Sequence, residues 1–86
     1  MTVLFYGYVV DRAGGVRSVE MPDCASLRVL IDALGSQFGA DFRAFLLGDE
    51  TCLFLVNGRG IMATGGLDTA FAAGDQVEIL PFIVAG

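Results

Sequence analysis

The chain ends in Gly74-Asp75-Gln76-Val77-Glu78-Ile79-Leu80-Pro81-Phe82-Ile83-Val84-Ala85-Gly86, a stretch that predicts a strand followed by an apolar tail. Proline has no backbone N–H for a sheet, so we expect the strand to stop at Pro81. Chain ends are usually polar and poorly ordered, whereas this one is apolar, so it should either fold back or enter a partner. The choice between these two fates is the functional question that the sequence poses.

The composition limits the protein to one small domain. A chain of 86 residues buries roughly 60% of its unfolded surface, enough to fold alone with a modest margin. Although 55% of the residues are hydrophobic, no apolar run approaches the ~20 residues of a membrane helix. The first residues lack the basic segment and cleavage site of a signal peptide, so we expect a cytoplasmic protein with no membrane partner.

Charge and side-chain chemistry exclude several classes of function. The net charge of −5 disfavours phosphate backbones, so we expect no nucleic-acid partner. Histidine is absent, and Cys24 and Cys52 are too far apart for a zinc motif, so we expect no metal site. The acidic residues are scattered without an evident pair. The sequence therefore does not predict an enzyme that acts by itself.

The first half of the chain predicts a hairpin followed by a helix. Val3–Val10 is rich in β-branched and aromatic residues, the segment Asp11–Gly15 predicts a turn, and Val16–Glu20 predicts a second strand. A helix is expected over Ser26–Phe38, with Ser26 as its N-cap and a left-handed glycine after its end at Gly39. Its apolar positions recur at helical spacing: Leu27, Leu30, Ile31, Leu34 and Phe38.

The second half predicts mainly strands. The less regular Ala40–Leu47 is expected to form a short helical turn. Cys52–Val56 predicts a third strand that ends at the turn Asn57-Gly58. Residues 60–66 predict a loop with at most one short strand. Gln76–Leu80 predicts the last strand. The most economical packing is an α+β fold, with one main helix across one face of a mixed sheet of four to five strands.

The alternation of side chains along the strands predicts an exposed apolar surface. Alternate residues point to opposite faces, so one set should face the helix: Phe5, Phe54, Val56, Val77 and Ile79. The opposite set is also apolar: Leu4, Tyr6, Leu53, Leu55 and Leu80. Proteins rarely leave such a patch uncovered. Either Ala40–Leu47 or self-association covers it, or it docks a dedicated partner.

The C-terminal third resembles a known family. Val56-Asn57-Gly58, Leu67, the segment Ala73-Gly74-Asp75-Gln76-Val77, Pro81 and a final glycine occur here in the order found in the ubiquitin-like sulfur carriers MoaD and ThiS. The turn Asp11–Gly15 is also similar to the loop after the first MoaD strand, and the chain length favours MoaD. The resemblance implies a ubiquitin-like β-grasp domain over residues 1–81 and a flexible tail over 82–86.

The resemblance also implies a mechanism. An E1-like adenylating enzyme of the MoeB or ThiF type would use ATP to attach AMP to the carboxylate of Gly86, and a sulfur donor would then convert it to a thiocarboxylate. The sulfur would pass to a molybdopterin precursor in the large (MoaE-type) subunit of molybdopterin synthase, or to another acceptor. The resemblance places Phe82, Ile83, Val84 and Ala85 inside the partner, and it implies no stably bound cofactor on this chain.

Two positions depart from the family pattern. Ala85 replaces the penultimate glycine, and Phe82 replaces a second proline. The methyl group of Ala85 would widen a tail that normally passes through a channel built for bare backbone. Two alternatives therefore stay open: a ubiquitin-like modifier joined to lysines of target proteins, and a ubiquitin-like interaction module that is not activated.

Overall fold

The computed structural model describes residues 1–48, 52–61 and 64–82 and has an α+β architecture. Its elements, in chain order, are β1 (Thr2–Phe5), α1 (Tyr8–Arg12), β2 (Ser18–Glu20), α2 (Leu27–Phe38), α3 (Ala40–Leu47), β3 (Cys52–Val56), β4 (Arg59–Gly60), a 3₁₀ turn (Gly66–Asp68) and β5 (Gln76–Pro81). The expected strands and main helix are present, and α1 is an additional helix. The short strand β4 begins one residue before the 60–66 segment in which the sequence predicts at most one strand.

The five strands form one mixed sheet in the order β2-β1-β5-β3-β4. The last of the described strands, β5, lies in the centre. It pairs in parallel with β1, where Val3 faces Val77, and antiparallel with β3, where Phe54 faces Ile79. Since β1 and β5 run parallel, the C-terminal end of β5 lies beside the residues that follow β1.

Helix α2 forms as its spacing predicts. The Ser26 side chain caps it by accepting a hydrogen bond from the Val29 backbone N–H at 3.4 Å. Four of its apolar residues are at most 1% exposed: Leu27, Leu30, Ile31 and Leu34. The helix ends at Gly39, which has the expected positive φ of 110° but an extended ψ of 163° in place of the left-handed helical value.

The prediction of a strand over Val3–Val10 is wrong after Phe5. Gly7 adopts φ 57° and ψ −136°, a conformation that L-residues rarely adopt, and it turns the chain from β1 into the short helix α1. Val9, which raised the strand propensity, is fully buried as part of this helix. The β1–β2 pair is antiparallel as expected, but α1 and a glycine turn connect its strands.

Aromatic packing places α3 on the same face of the sheet as α2. Phe42 of α3 contacts Phe5 of β1 edge-on, with ring centroids 5.6 Å apart, and Phe38 of α2 contacts the same ring at 5.7 Å. Phe5 points into the core together with Phe54, Val56, Val77 and Ile79, as the alternation predicts. The segment Ala40–Leu47 therefore packs on the core side, and it does not cover the opposite face of the sheet.

A reciprocal pair of side chains joins the two turns at the β3–β5 end. Asn57 donates from Nδ2 to Asp75 Oδ1 at 3.0 Å, and its own Oδ1 accepts from the Gln76 backbone N–H at 3.0 Å. Asp75 Oδ2 accepts from the Ala72 backbone N–H at 2.8 Å. Both residues thus stabilise the turn that starts β5.

Among the described residues, no helix has the length and apolarity needed to cross a membrane.

The Asp75 hydrogen bonds predict an acid-sensitive contribution to stability. The N–H of Ala72 and then the Asn57 amide lower the pKa of the Asp75 carboxyl below its ordinary value of about 3.9. A carboxyl with a lowered folded-state pKa stabilises the fold above the unfolded-state pKa and loses that effect as the pH falls through the folded-state value. We expect Asp75→Asn to melt at a lower temperature than the wild type at pH 7, with the difference shrinking below about pH 4.

Thermal unfolding followed by circular dichroism from neutral to acid pH checks this expectation. Asn57→Gly leaves the turn unstrained and removes one of the two hydrogen bonds to the Asp75 carboxylate, together with the pH-independent bond from the Gln76 N–H. Its deficit should therefore also shrink in acid, though less than that of Asp75→Asn. A difference in melting temperature that stays constant across the pH range would contradict the role given to Asp75.

Candidate docking surface and tail base

The face of the sheet away from the helices carries an apolar patch, which we call the outer patch: Leu4, Tyr6, Leu53, Leu55 and Leu80. Tyr6 is 40% exposed and Leu53 is 44% exposed, and the other three members are half-buried. Leu53 and Leu80 lie directly opposite each other across β3 and β5. All five residues predicted to share this face do share it.

A carboxylate lies in the middle of the outer patch. Glu78 of β5 is paired with Leu4 on one side and Leu55 on the other, and it is half-buried. Burial, and then the negative charge of Glu78, raise the pKa of the Tyr6 phenol, which therefore stays protonated at neutral pH and can donate a hydrogen bond.

The sequence reasoning did not select Glu78 as a site residue. The alternation of side chains could have identified it, because position 78 lies between the core residues Val77 and Ile79 and must therefore face outward with Leu80.

The other end of the same face is polar, with Thr2 hydrogen-bonded to Glu20 across β1 and β2. The apolar part of the face is therefore confined to the end from which the tail leaves.

A shallow groove adjoins the outer patch. It has a volume of about 230 Å³ and an almost entirely apolar lining that includes Leu53, Leu55, Ile61 and Phe82. Phe82 is the first residue after β5, so the start of the tail forms one wall of this groove. Patch and groove thus make one continuous surface with the first tail residue.

The tail base, which we define as Pro81 and Phe82, contacts the body through two further residues. The Pro81 ring packs so closely on Gly7 that a Cβ at Gly7 would overlap it. The backbone N–H of Phe82 donates to Tyr8 Oη at 3.0 Å. Sequence reasoning missed both partners because it assigned Gly7 and Tyr8 to a longer first strand.

The remaining tail residues, Ile83, Val84, Ala85 and Gly86, lie outside the described part of the chain. The role assigned to the Gly86 carboxylate therefore stays a prediction. Cys24 and Cys52 are not joined in a disulfide. The three described ranges contain no cluster of potential metal-ligating side chains.

Comparisons with known proteins agree on one family. The model of the ThiS family matches residues 3–86. CysO from Mycobacterium tuberculosis, described as an antigen, is similar with a TM-score of 0.82 and 27% identity over 95% of this chain and 98% of that one. CysO in its complex with BexX from Amycolatopsis orientalis is also similar, with a TM-score of 0.81 and 29% identity. This match covers 99% of the present chain and 98% of the other chain.

The similarity extends to a eukaryotic protein. Urm1 from Trypanosoma brucei has a TM-score of 0.74 and 26% identity over 99% of this chain and 93% of its own. No curated protein sequence matches the chain significantly. The similarity extends over 95–99% of this chain, so its sheet and helices belong to a fold that these proteins share.

The contact between Gly7 and Pro81 predicts a measurable cost for one methyl group. Gly7→Ala combines an unfavourable backbone conformation with an overlap on the Pro81 ring, so we expect a loss of about 1–3 kcal/mol of unfolding free energy. Gly14→Ala is the matched control, because Gly14 also has a positive φ (76°) but open space around its Cβ. Chemical denaturation should show the larger loss for Gly7→Ala, and equal losses would contradict the Pro81 contact.

Proposed function

Because the chain belongs to the ThiS family of ubiquitin-like sulfur carriers, we propose that it carries sulfur as a thiocarboxylate on Gly86 and delivers it to an acceptor bound by a partner enzyme. The observation that carries this proposal is the position of the tail base. Pro81 and Phe82 leave the central strand beside the outer patch, so the body can dock on a partner while the tail enters it.

The terminal residue suits the chemistry. An α-carboxyl group has a pKa of about 3.5 and is ionised at neutral pH, so the Gly86 carboxylate can attack the α-phosphorus of ATP. Pyrophosphate leaves and an acyl-adenylate forms. A sulfur nucleophile then attacks the acyl carbon and AMP leaves, which yields the thiocarboxylate. Glycine has no side chain to crowd either attack, and the adenylating enzyme supplies the ATP site.

The outer patch supplies the docking surface for the adenylating enzyme. Its leucines provide apolar area. The half-buried carboxylate of Glu78 in its centre would be stabilised by a cationic group on the partner. The net charge of −5 would add long-range attraction to a basic partner surface. The partner is therefore an adenylating enzyme of the MoeB or ThiF type with an apolar, positively charged docking site.

The proposal also specifies the molecule that accepts the sulfur. The resemblance to MoaD favours a molybdopterin precursor held in a MoaE-type large subunit, as part of molybdenum or tungsten cofactor synthesis. The similarity to CysO bound to BexX supports the general arrangement, in which a carrier of this fold forms a complex with a separate protein. A partner that accepts this chain must also accommodate the methyl group of Ala85.

Intact-mass measurement tests the carrier function. The purified chain is incubated with ATP, a sulfide source and the E1-like adenylating enzyme encoded in the same genome. We expect the mass to change by the replacement of one oxygen with sulfur, and we expect no change for the chain lacking Gly86. An unchanged full-length chain, with an enzyme proven active on another carrier, would identify a module that is not activated. An adduct joined to protein lysines would identify a modifier.

The outer patch is tested by two matched substitutions. Leu53→Glu places a charge in the patch, whereas Val29→Glu places the same charge on the solvent side of α2, where Val29 is 47% exposed. Since burial of a leucine contributes about 1.5–3 kcal/mol, we expect Leu53→Glu to weaken binding to the adenylating enzyme about 10-fold or more. Val29→Glu should bind like the wild type in calorimetry. Equal weakening by both variants would contradict the assigned surface.

A further inference from the structure

The hydrogen bonding of the central strand changes at Pro81. Up to this point β5 pairs with β1, and the last backbone bond of this pair runs from the Tyr6 N–H to the Ile79 carbonyl at 3.0 Å. Pro81 has no N–H, so Phe82 provides the first backbone donor beyond the strand. Its acceptor is the side-chain hydroxyl of Tyr8, at 3.0 Å.

The Tyr8 hydroxyl is held in place by the body of the protein. Its ring contacts Phe45 of α3 edge-on, with centroids 5.9 Å apart and an interplanar angle of 81°. Phe45 is only 9% exposed, and the Arg12 guanidinium lies 4.9 Å from its ring centroid. Tyr8 itself is 40% exposed, so a packed ring presents a hydroxyl at the surface beside the tail base.

We propose that Tyr8 is a positioning residue that fixes where and in which direction the tail leaves the body. This inference rests on the proposed function, since it assigns Tyr8 a role in presenting Gly86 to a partner. The hydroxyl holds the Phe82 amide, and the Gly7–Pro81 contact holds the preceding residue. Both contacts come from Gly7 and Tyr8, two and three residues beyond the end of β1, the strand parallel to β5.

The anchor limits the reach of the reactive end. With Phe82 held, four residues remain, and at roughly 3.3 Å each they reach at most about 13 Å beyond the tail base. Fixing the first amide also lowers the number of conformations that the tail loses when it enters a partner. The anchor should therefore improve capture of the carrier, with no effect on the chemistry once the tail is in place.

Tyr8→Phe tests the proposal, because it removes the hydroxyl and keeps the ring on Phe45. In adenylation by the E1-like enzyme from the same genome, we expect KM for the carrier to rise about 2- to 10-fold, the range that one hydrogen bond supplies. The value of kcat at saturating carrier should not change. In ¹⁵N-¹H spectra of the free chain, the Phe82 amide should exchange faster with solvent than in the wild type.

The control is Ile31→Val, which removes a buried methyl group from α2, outside the Gly7–Pro81 and Tyr8–Phe82 contacts. It lowers stability without touching the anchor, so it should leave both KM and the Phe82 amide unchanged. A rise in KM for Ile31→Val equal to that for Tyr8→Phe would reduce Tyr8 to a stabilising residue and overturn the proposal.

The remaining outcomes separate this inference from the proposed function. If the wild type is adenylated and Tyr8→Phe matches it in both KM and Phe82 exchange, the positioning role fails and the carrier function stands. If the wild type is not adenylated by an enzyme proven active on another carrier, the carrier function fails, and with it the role of Tyr8 in presenting Gly86.

Discussion

The rest of the structure depends on the double pairing of β5. This strand is the last of the described strands in sequence, yet it lies in the centre of the sheet, hydrogen-bonded to β1 on one side and β3 on the other. Val77 and Ile79 are fully buried beneath the helices. A central strand cannot fray without exposing both neighbours, so Pro81 is a fixed point from which the tail must leave.

The same pairing separates the face that packs with the helices from the outer face, where we propose that a partner docks. Every helix described packs with the core residues of one face, so the other keeps Leu53, Leu80 and Tyr6 available around Glu78. The apolar end of this outer face coincides with the end from which the tail leaves. In the proposed function, docking and tail insertion therefore use the same side of the molecule.

Much of this fold is predictable from local patterns, and the exceptions have physical reasons. The spacing in α2, the alternation in β3 and β5, and the Asn57-Gly58 turn each depend on residues close in sequence, so the sequence reveals them. In α1, the β-branched Val9 and Val10 favour a strand, and only the unusual backbone of Gly7 and the burial of Val9 produce a helix. The Phe82–Tyr8 hydrogen bond joins residues 74 positions apart and cannot be read from any local pattern.

The proposed function makes Gly86 the reactive end of the chain, and ATP–pyrophosphate exchange measures its activation directly. The exchange reports formation of the acyl-adenylate alone and does not depend on the sulfur donor or the final acceptor. We predict that the E1-like enzyme from the same genome exchanges pyrophosphate in the presence of the full chain but not of the chain lacking Gly86. Equal exchange with both chains, or none with the full chain while another carrier is active, would contradict this account.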